Sequence, residues 1–245
     1  MRKLYIILSL LSCISFANNM SELDGNISGS GMKYDSVVIN GSFNGQDVTV
    51  SGDMQVNGSM HMALGKVNKL EVNGSCALDS VLINGNMDVS GNLSGKNLTI
   101  QNKENEVSGS LTLDKSNVIA QLFKIDGSAT INNSTINSVT EINGSLTSQN
   151  DKFNKSVAIN GSLGAKDSSY AQGVNLNGLN AEILNSSVMG DIKNKYSAWF
   201  RTPEIIIDGS GVNGDIIFLK SKGRVILKNN AKVQGKIINA TVEKS

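Results

Sequence analysis

A single histidine limits the acid–base chemistry open to this chain of 245 residues. His61 is the only histidine, so a Ser-His-Asp arrangement could be built in one place only. No residues near it in the sequence form a catalytic set by spacing, and we expect a solvated surface histidine. No Cys/His cluster has the spacing of a zinc site. The sequence therefore predicts no catalytic residue, no metal ligand and no cofactor.

Two other features of the sequence could carry chemistry, but each has a structural interpretation. The stretch "GNISGSG" from Gly25 to Gly31 lacks the strand-to-helix setting and the lysine of a phosphate-binding loop. Cys76 falls in a column of alternating residues that should face inward, so we expect a small buried hydrophobe rather than a reactive thiol. Cys13 is the only other cysteine and lies in the N-terminal leader, which leaves no pair for a disulfide in the mature chain.

The N-terminus has the pattern of a secretory signal peptide. Arg2 and Lys3 precede the apolar run "LYIILSLLSCISF", and small residues follow up to Ala17. We expect cleavage after Ala17 and export to the periplasm, the cell surface or the medium. In an alternative interpretation, "LLSC" is a lipobox and Cys13 becomes the lipidated first residue. No later stretch is long and apolar enough to span a membrane.

A short motif returns through most of the mature chain, as in "VNGSM" at Val56 and "INGSL" at Ile142. Its glycines recur every 16 to 18 residues, at Gly25, Gly41, Gly58, Gly74, Gly91, Gly109, Gly127, Gly144, Gly161 and Gly178. A repeat this short and this regular is typical of a solenoid.

Apolar residues occupy fixed positions around each motif glycine. The position two before it is always aliphatic and the position two after it is apolar except at Asn180, whereas the two adjacent positions hold mainly Asn, Ser or Asp. A second apolar column lies nine residues after the glycine and includes Tyr34, Ile100 and Phe153, failing only at Ser187. Alternation with a period of two predicts strands with one face inward. Because the motif glycines recur at nearly equal steps, we expect each strand to pair in parallel with its copy one coil away.

These patterns predict an all-β, single-stranded parallel β-helix of ten or more coils, each with about 17 residues. Asn-Gly between apolar residues is also a hairpin signal, but a meander of hairpins need not hold two apolar columns at constant offsets. We expect a right-handed solenoid, because crossovers between parallel strands nearly always have that hand. The motif glycine should lie at a corner that a side chain would crowd, and a positive φ is a second reason for glycine there.

The pattern divides the chain into four parts: residues 1–17 as signal peptide, 18–194 as solenoid repeats, 195–204 as an irregular aromatic loop, and 205–245 as further coils with a basic end. The loop "KYSAWFRTPE" holds the only Trp and the only Pro of the chain. Trp199 and Phe200 are expected either to pack the loop against the rod or to anchor a partner, since aromatic residues are common in binding hot spots.

The C-terminal stretch "RVILKNNAKVQGKIINATV" resembles the bactofilins, which are polymer-forming bacterial cytoskeletal proteins. "NGDII" from Asn213 to Ile217 and "MGDI" from Met189 to Ile192 are similar to the glycine, small or acidic, aliphatic pattern of that family. The resemblance implies a right-handed β-helix and self-association. Members of the family act in the cytoplasm, whereas the leader of this chain predicts export.

The last residues carry a concentrated positive charge. From Lys220 onward seven basic residues accompany one acid, Glu243. One interpretation is a solvated end that keeps the terminal coil soluble. Another is a surface for self-assembly or for an anionic envelope polymer or glycan, formed by Arg224, Lys228, Lys232 and Lys236. Nucleic acid is not an expected partner, because few aromatics lie among the bases and the leader predicts export.

Together these features predict a non-enzymatic structural or adhesive β-solenoid of the bacterial envelope or surface, with end-to-end self-association as a further expectation. The alternative is a carbohydrate-active β-helix enzyme of the polysaccharide lyase or hydrolase kind. Such enzymes usually need clustered charged residues and long loops that form a cleft. Charged residues make up only 18% of this chain and are scattered through the coils.

Overall fold

The computed structural model describes residues 20–197 and 199–245. The predicted signal peptide and the alternative lipidation site at Cys13 lie outside these residues. The described chain is all-β and contains no helix. The prediction of a parallel β-solenoid is confirmed, with about 13 turns spaced about 17 residues apart. At about 4.8 Å per turn the stack is on the order of 60 Å long.

Thirty strands make up the described part of the solenoid. They are β1 (Met20–Asp24), β2 (Ile27–Ser30), β3 (Lys33–Tyr34), β4 (Ser36–Asn40), β5 (Phe43–Val56), β6 (Met60–Val72), β7 (Cys76–Ile83), β8 (Met87–Val89), β9 (Leu93–Lys96), β10 (Thr99–Val107), β11 (Leu111–Asp114), β12 (Asn117–Ile125), β13 (Ala129–Asn132), β14 (Thr135–Ile142), β15 (Leu146–Gln149), β16 (Lys152–Phe153), β17 (Val157–Ile159), β18 (Leu163–Lys166), β19 (Ser169–Tyr170), β20 (Val174–Leu176), β21 (Asn180–Leu184), β22 (Ser187–Val188), β23 (Ile192–Asn194), β24 (Glu204–Asp208), β25 (Gly211–Val212), β26 (Ile216–Phe218), β27 (Gly223–Lys228), β28 (Lys232–Val233), β29 (Ile237–Ile238) and β30 (Ala240–Lys244).

Three parallel ladders run along the rod. The first joins β2, β5, β6, β7, β9, β11, β13, β15, β18, β21, β24, β27 and β30. The second joins β3, β5, β6, β7, β10, β12, β14, β16, β19, β22, β25 and β28. The third joins β1, β4, β5, β6, β8, β10, β12, β14, β17, β20, β23, β26 and β29. Longer strands such as β5 turn a corner and belong to more than one ladder.

The apolar columns predicted from the repeat form the core. The residues two before the motif glycines are buried from Ile39 to Leu176, and those two after are buried from Phe43 to Leu163. The pattern slips by one residue in the coil after Gly178. There Ala181 aligns with Leu163 and Val188 aligns with Tyr170, so Asn180 and Ser187 fall outside the columns. The slip occurs because this coil is one residue longer.

The motif glycines stack on one another at the corner between the third and first ladders, which we call the glycine corner. A Cβ on Gly144 would lie 2.6 Å from the carbonyl oxygen of Gly127, and one on Gly161 would lie 2.5 Å from that of Gly144. Crowding by backbone therefore requires glycine here, as predicted. The second predicted reason is wrong for most coils, because among these glycines only Gly25 has a positive φ.

Positive φ is found instead at the corner between the first and second ladders, which we call the left-handed corner. Almost every coil places one residue there with φ between about 47° and 68°. These residues are Gly31, Asp47, Leu64, Ser80, Asn97, Lys115, Asn133, Asn150, Asp167, Asn185, Gly209 and Asn229. Asn, Asp and Gly dominate because they tolerate this conformation best.

Outward polar side chains bridge successive coils at the glycine corner. Asn57 donates to Asn40 at 2.8 Å, and Asn73 donates to Asn57 at 2.7 Å. Further along, Asn160 donates to Asn143 at 2.7 Å. The repeated Asn of the motif thus forms short ladders of side-chain amides along the rod. The outward position of these residues predicts such ladders.

Candidate functional site

The four basic residues predicted to form one surface lie on different sides of the C-terminal end. Arg224 and Lys228 belong to β27 in the first ladder, and Lys232 begins β28 in the second. Lys236 precedes β29 in the third ladder. The charges therefore surround the end of the rod instead of forming one patch on its side.

Arg224 differs from the three lysines because it is already paired. Its guanidinium donates to the Glu204 carboxylate one coil before, and it lies 3.5 Å from Glu243 on the terminal strand. These contacts, with Glu204 the stronger, raise the pKa of Arg224. Within the described part of the chain, Lys228, Lys232 and Lys236 form no ion pair. These three lysines, with Lys244 on the terminal strand, therefore carry free positive charge at this end.

The last layer of the rod leaves core positions open. Val242 aligns with Val225, which is fully buried, yet Val242 is 45% exposed. Val233 and Ile237 also continue buried columns and are only partly buried. No described strand pairs with the outer edge of β28, β29 or β30. The last described layer therefore presents apolar side chains and strand edges with no partner among the described strands.

The first described layer has the opposite charge at its rim. Glu22 and Asp24 lie on β1 and are exposed, and both accept a hydrogen bond from the Asn40 amide, at 2.8 and 3.1 Å. Leu23 and Ile27 hold core positions in this layer but are only partly buried. The first and last described layers thus share partly exposed apolar residues and differ in the sign of the surrounding charge.

The aromatic loop leaves the rod at the glycine corner and is held at its base. Asn194 is buried, donates to the Gly178 carbonyl at 2.9 Å and accepts the Tyr196 N–H at 2.9 Å. The loop returns at β24, where the Glu204 N–H donates to the Leu179 carbonyl at 2.7 Å. The carbonyl of the buried Pro203 accepts the Arg224 N–H at 2.9 Å.

The tip of this loop does not pack against the rod. Trp199 is 96% exposed and Phe200 is 97% exposed. Of the two roles expected for this pair, packing the loop is therefore wrong. The partner-anchor role is compatible with this exposure and stays a prediction.

The residues considered for chemistry are dispersed along the rod. His61 is exposed on the first ladder, where its neighbours in register are Asn44 and Ala77. Cys76 is buried, and burial raises the pKa of its thiol to about 12, so it is an unreactive core residue as predicted. Among the described residues no group of three His, Cys, Asp or Glu could hold a metal ion.

The left-handed corner contains a column of buried polar side chains that the repeat pattern does not predict. Its members are Ser116, Ser134, Asp151, Ser168, Ser186 and Ser210, which we call the serine column. Each member after Ser116 accepts a backbone N–H from the member one coil before: the Ser116 N–H donates to Ser134 Oγ at 3.0 Å, and the Ser134 N–H donates to Asp151 at 2.8 Å. The signal in the sequence is a Ser or Asp seven residues after Gly109, Gly127, Gly144 and Gly161.

Asp151 is the one carboxylate in the serine column. It is 1% exposed and accepts N–H groups from Ser134 and Gln149, at 2.8 and 3.0 Å. Burial raises the pKa of Asp151 to about 6, with a smaller contribution from Asp114, and the hydrogen bonds oppose this only in part. Nearby, Tyr170 donates to Ser148 Oγ at 3.0 Å. Asp151 is a structural feature of the core, because its side chain is almost fully buried and bonded to backbone.

Asp151 should make the stability of the rod depend on pH. A carboxyl whose pKa is raised by folding favours the folded state when it is protonated. Its contribution to the stability of the folded state is therefore complete below about pH 4 and is lost as pH rises through about 6. We expect the free energy of unfolding of wild type to fall over this interval by on the order of 2–3 kcal/mol relative to that of Asp151→Ser. Serine is the residue found at this position in neighbouring coils.

Urea unfolding of both proteins at intervals from pH 4 to pH 8 measures this effect. The serine variant should be the more stable protein above pH 6 and should show a flatter profile. Superimposable pH profiles for the two proteins would show that Asp151 does not titrate in this range.

In the described part of the chain, no helix has the length and apolar character needed to cross a membrane.

Comparison with protein-family models, with curated proteins and with solved structures found no match for this chain.

Proposed function

We propose that this chain is an exported, non-enzymatic structural rod of the bacterial envelope or surface that joins end to end with copies of itself. The observation that carries the proposal is the pair of open ends. Val242 continues a fully buried column yet is 45% exposed, and no described strand pairs with the outer edge of β28, β29 or β30. Open strand edges over an apolar layer favour pairing with another chain.

The charges at the two ends favour contact between unlike ends. The Lys228, Lys232 and Lys236 side of one copy would face the Glu22 and Asp24 side of the next. Head-to-tail contact is heterologous and gives an open filament rather than a closed dimer. The resemblance of the C-terminal stretch to the bactofilins supports the same mode of assembly. Export is supported by the charge, apolar run and small residues within residues 1–17.

The assembly is tested by reversing the charge of three lysines around the last layer together, as Lys228→Glu, Lys232→Glu and Lys236→Glu. We expect wild type to form salt-sensitive filaments and the triple variant to remain monomeric, because like charges would then meet at the junction. Sedimentation velocity at low and high salt, with negative-stain electron microscopy, measures the outcome. Arg224 is left unchanged, since its reversal would also break the pair with Glu204 inside the rod.

The matched control reverses three exposed lysines on the sides of the rod, as Lys66→Glu, Lys152→Glu and Lys166→Glu. This variant has the same net charge as the first and should still assemble. Both variants should keep the far-ultraviolet circular dichroism of wild type. A mature wild-type protein that stays monomeric at low salt and high concentration would refute the assembly.

A further inference from the structure

The aromatic loop exposes more apolar surface than a soluble rod requires. Trp199, the only Trp of the chain, and Phe200 are adjacent and almost fully exposed. Exposed single aliphatic residues are common on protein surfaces, but a projecting pair of large aromatic rings indicates a contact surface. The buried amide of Asn194 and the buried Pro203 hold the base of the loop, so the pair projects from a fixed support.

The surroundings of the aromatic pair are basic. Within the loop, Lys195 and Arg201 are exposed on either side of it. The same corner of the next coil carries Leu219, which is 58% exposed, together with Lys220 and Lys222. The Leu219 N–H donates to the Asn194 carbonyl at 2.8 Å, which places this turn directly over the base of the loop.

We call residues 195–202 and 219–222 the aromatic–basic corner. Neither segment contains Asp or Glu. Earlier coils put Asn-Gly-Ser or a close variant at this corner, where the glycine backbones stack too closely for a side chain. The coil with the loop is 24 residues long by the alignment of Ile183 with Ile207. The repeat is thus interrupted at the place where large apolar and basic side chains appear together.

We propose that the aromatic–basic corner docks the rod on an anionic phospholipid bilayer. Trp is the side chain most typical of the bilayer interface, where its ring lies among the headgroups, and Phe inserts among the acyl chains. Lys and Arg around the rings match the negative charge of the lipid surface. The Leu219 side chain adds apolar area beside the rings.

The composition of this corner favours lipid over a glycan or a protein. A sugar-binding aromatic platform usually has carboxylate or amide side chains beside its rings that exchange hydrogen bonds with hydroxyls. The two segments of the corner contain no Asp, Glu, Asn or Gln, and their charged residues are all cations. A protein interface would place the rings in a well-packed patch with polar groups at its rim. Here the rings project outward, with cations beside them.

The single Trp makes the proposal directly measurable. Because Trp199 is the only Trp, the intrinsic Trp fluorescence of the full mature chain reports this loop alone. We expect its emission to shift to shorter wavelength on addition of phosphatidylglycerol-containing vesicles, and the protein to sediment with them. Phosphatidylcholine vesicles should give a much smaller shift, and added salt should reverse most of the binding.

Variants of the corner test which residues are responsible. Lys220→Gln combined with Lys222→Gln should weaken binding roughly 30-fold, since each basic residue near an anionic surface contributes about a factor of five. Phe200→Ser should reduce the emission shift, and Trp199→Ser should reduce co-sedimentation. The matched controls are Lys66→Gln with Lys166→Gln, and Leu64→Asn, an exposed apolar residue at the left-handed corner. Both controls should bind as wild type does.

Lipid docking can be tested separately from the proposed assembly. The vesicle experiment is repeated with the triple variant Lys228→Glu, Lys232→Glu and Lys236→Glu, which should not assemble. Binding by that variant, lost on changing the corner, would establish lipid docking even if no filament forms. Three outcomes would overturn the proposal: vesicles that change neither emission nor sedimentation of wild type, binding that the corner variants leave intact, or an emission shift produced by soluble polysaccharide and not by lipid.

Discussion

Ile142→Asp should unfold the coils around residue 142 and lower the free energy of unfolding by several kcal/mol. Ile142 is fully buried in the third ladder, aligned between Ile125 and Ile159, which are also buried. An aspartate there would be a charge among aliphatic side chains with no cation in reach. Val89→Asp should have the same effect in an earlier coil, because Val89 is equally buried.

Chemical denaturation with hydrogen exchange measures the Ile142→Asp effect. Because each coil contacts mainly its neighbours, protection should be lost first in the coils next to the substitution and last at distant ones. The matched control is Thr147→Asp, which lies on the exposed face of β15 beside the buried Leu146. It should cost less than about 1 kcal/mol. Equal losses for the two variants would refute the inward and outward assignment.

Ser145 would be a poorer control, although the motif places it outside. The structure shows that its Oγ accepts the Ser162 N–H at 3.1 Å, while its own N–H donates to Ser128 Oγ at 3.2 Å. Ser145 is therefore a member of a chain of hydrogen bonds between coils. Its replacement by alanine should have a small cost that an isolated surface residue would not have.

Gly144→Ala should destabilise the rod by a few kcal/mol, although it adds one methyl group. That Cβ would lie 2.6 Å from the carbonyl oxygen of Gly127 and 2.7 Å from its carbonyl carbon. Backbone cannot move aside as a flexible side chain can, so the two coils would have to separate and weaken the hydrogen bonds between them. Thermal unfolding of the purified variant measures the effect as a lower Tm.

Gly164→Ala is the matched control for the glycine corner. Gly164 lies in β18 on the first ladder, its φ is not positive, and a Cβ there would meet nothing within 4 Å. This change should be neutral or stabilising by about 0.5–1 kcal/mol, because alanine reduces the freedom of the unfolded chain. If Gly144→Ala were as stable as Gly164→Ala, backbone crowding would not explain the recurring glycine.

Much of the architecture could be predicted because it depends on two regularities that a sequence displays directly. Strand alternation has a period of two, so the burial of Ile39, Val72 or Ile142 follows from the identity of its neighbours. Coils that stack in register must have nearly equal lengths, so the spacing of the motif glycines predicts both the stacking and the parallel pairing. These local regularities also place Asn40 and Asn57 outside and Cys76 inside.

Other features depend on distances between coils that spacing alone does not supply. The left-handed corner and the serine column arise from the direction in which the chain turns after the first ladder, and a Ser such as Ser134 could equally well have faced solvent. The pair between Arg224 and Glu204 depends on how coils of unequal length align, so a residue expected to be free is neutralised by one 20 residues before it.

The exposure of the aromatic loop could not be predicted from the sequence. The break in the repeat at Lys195 was visible in the sequence, and the break alone marked Trp199 and Phe200 as exceptional. Whether the rings pack inward or project depends on the surface beneath them. Alternation determines the side of a strand on which a residue lies, but outside a strand the exposure of a side chain is decided by the tertiary contacts available to it.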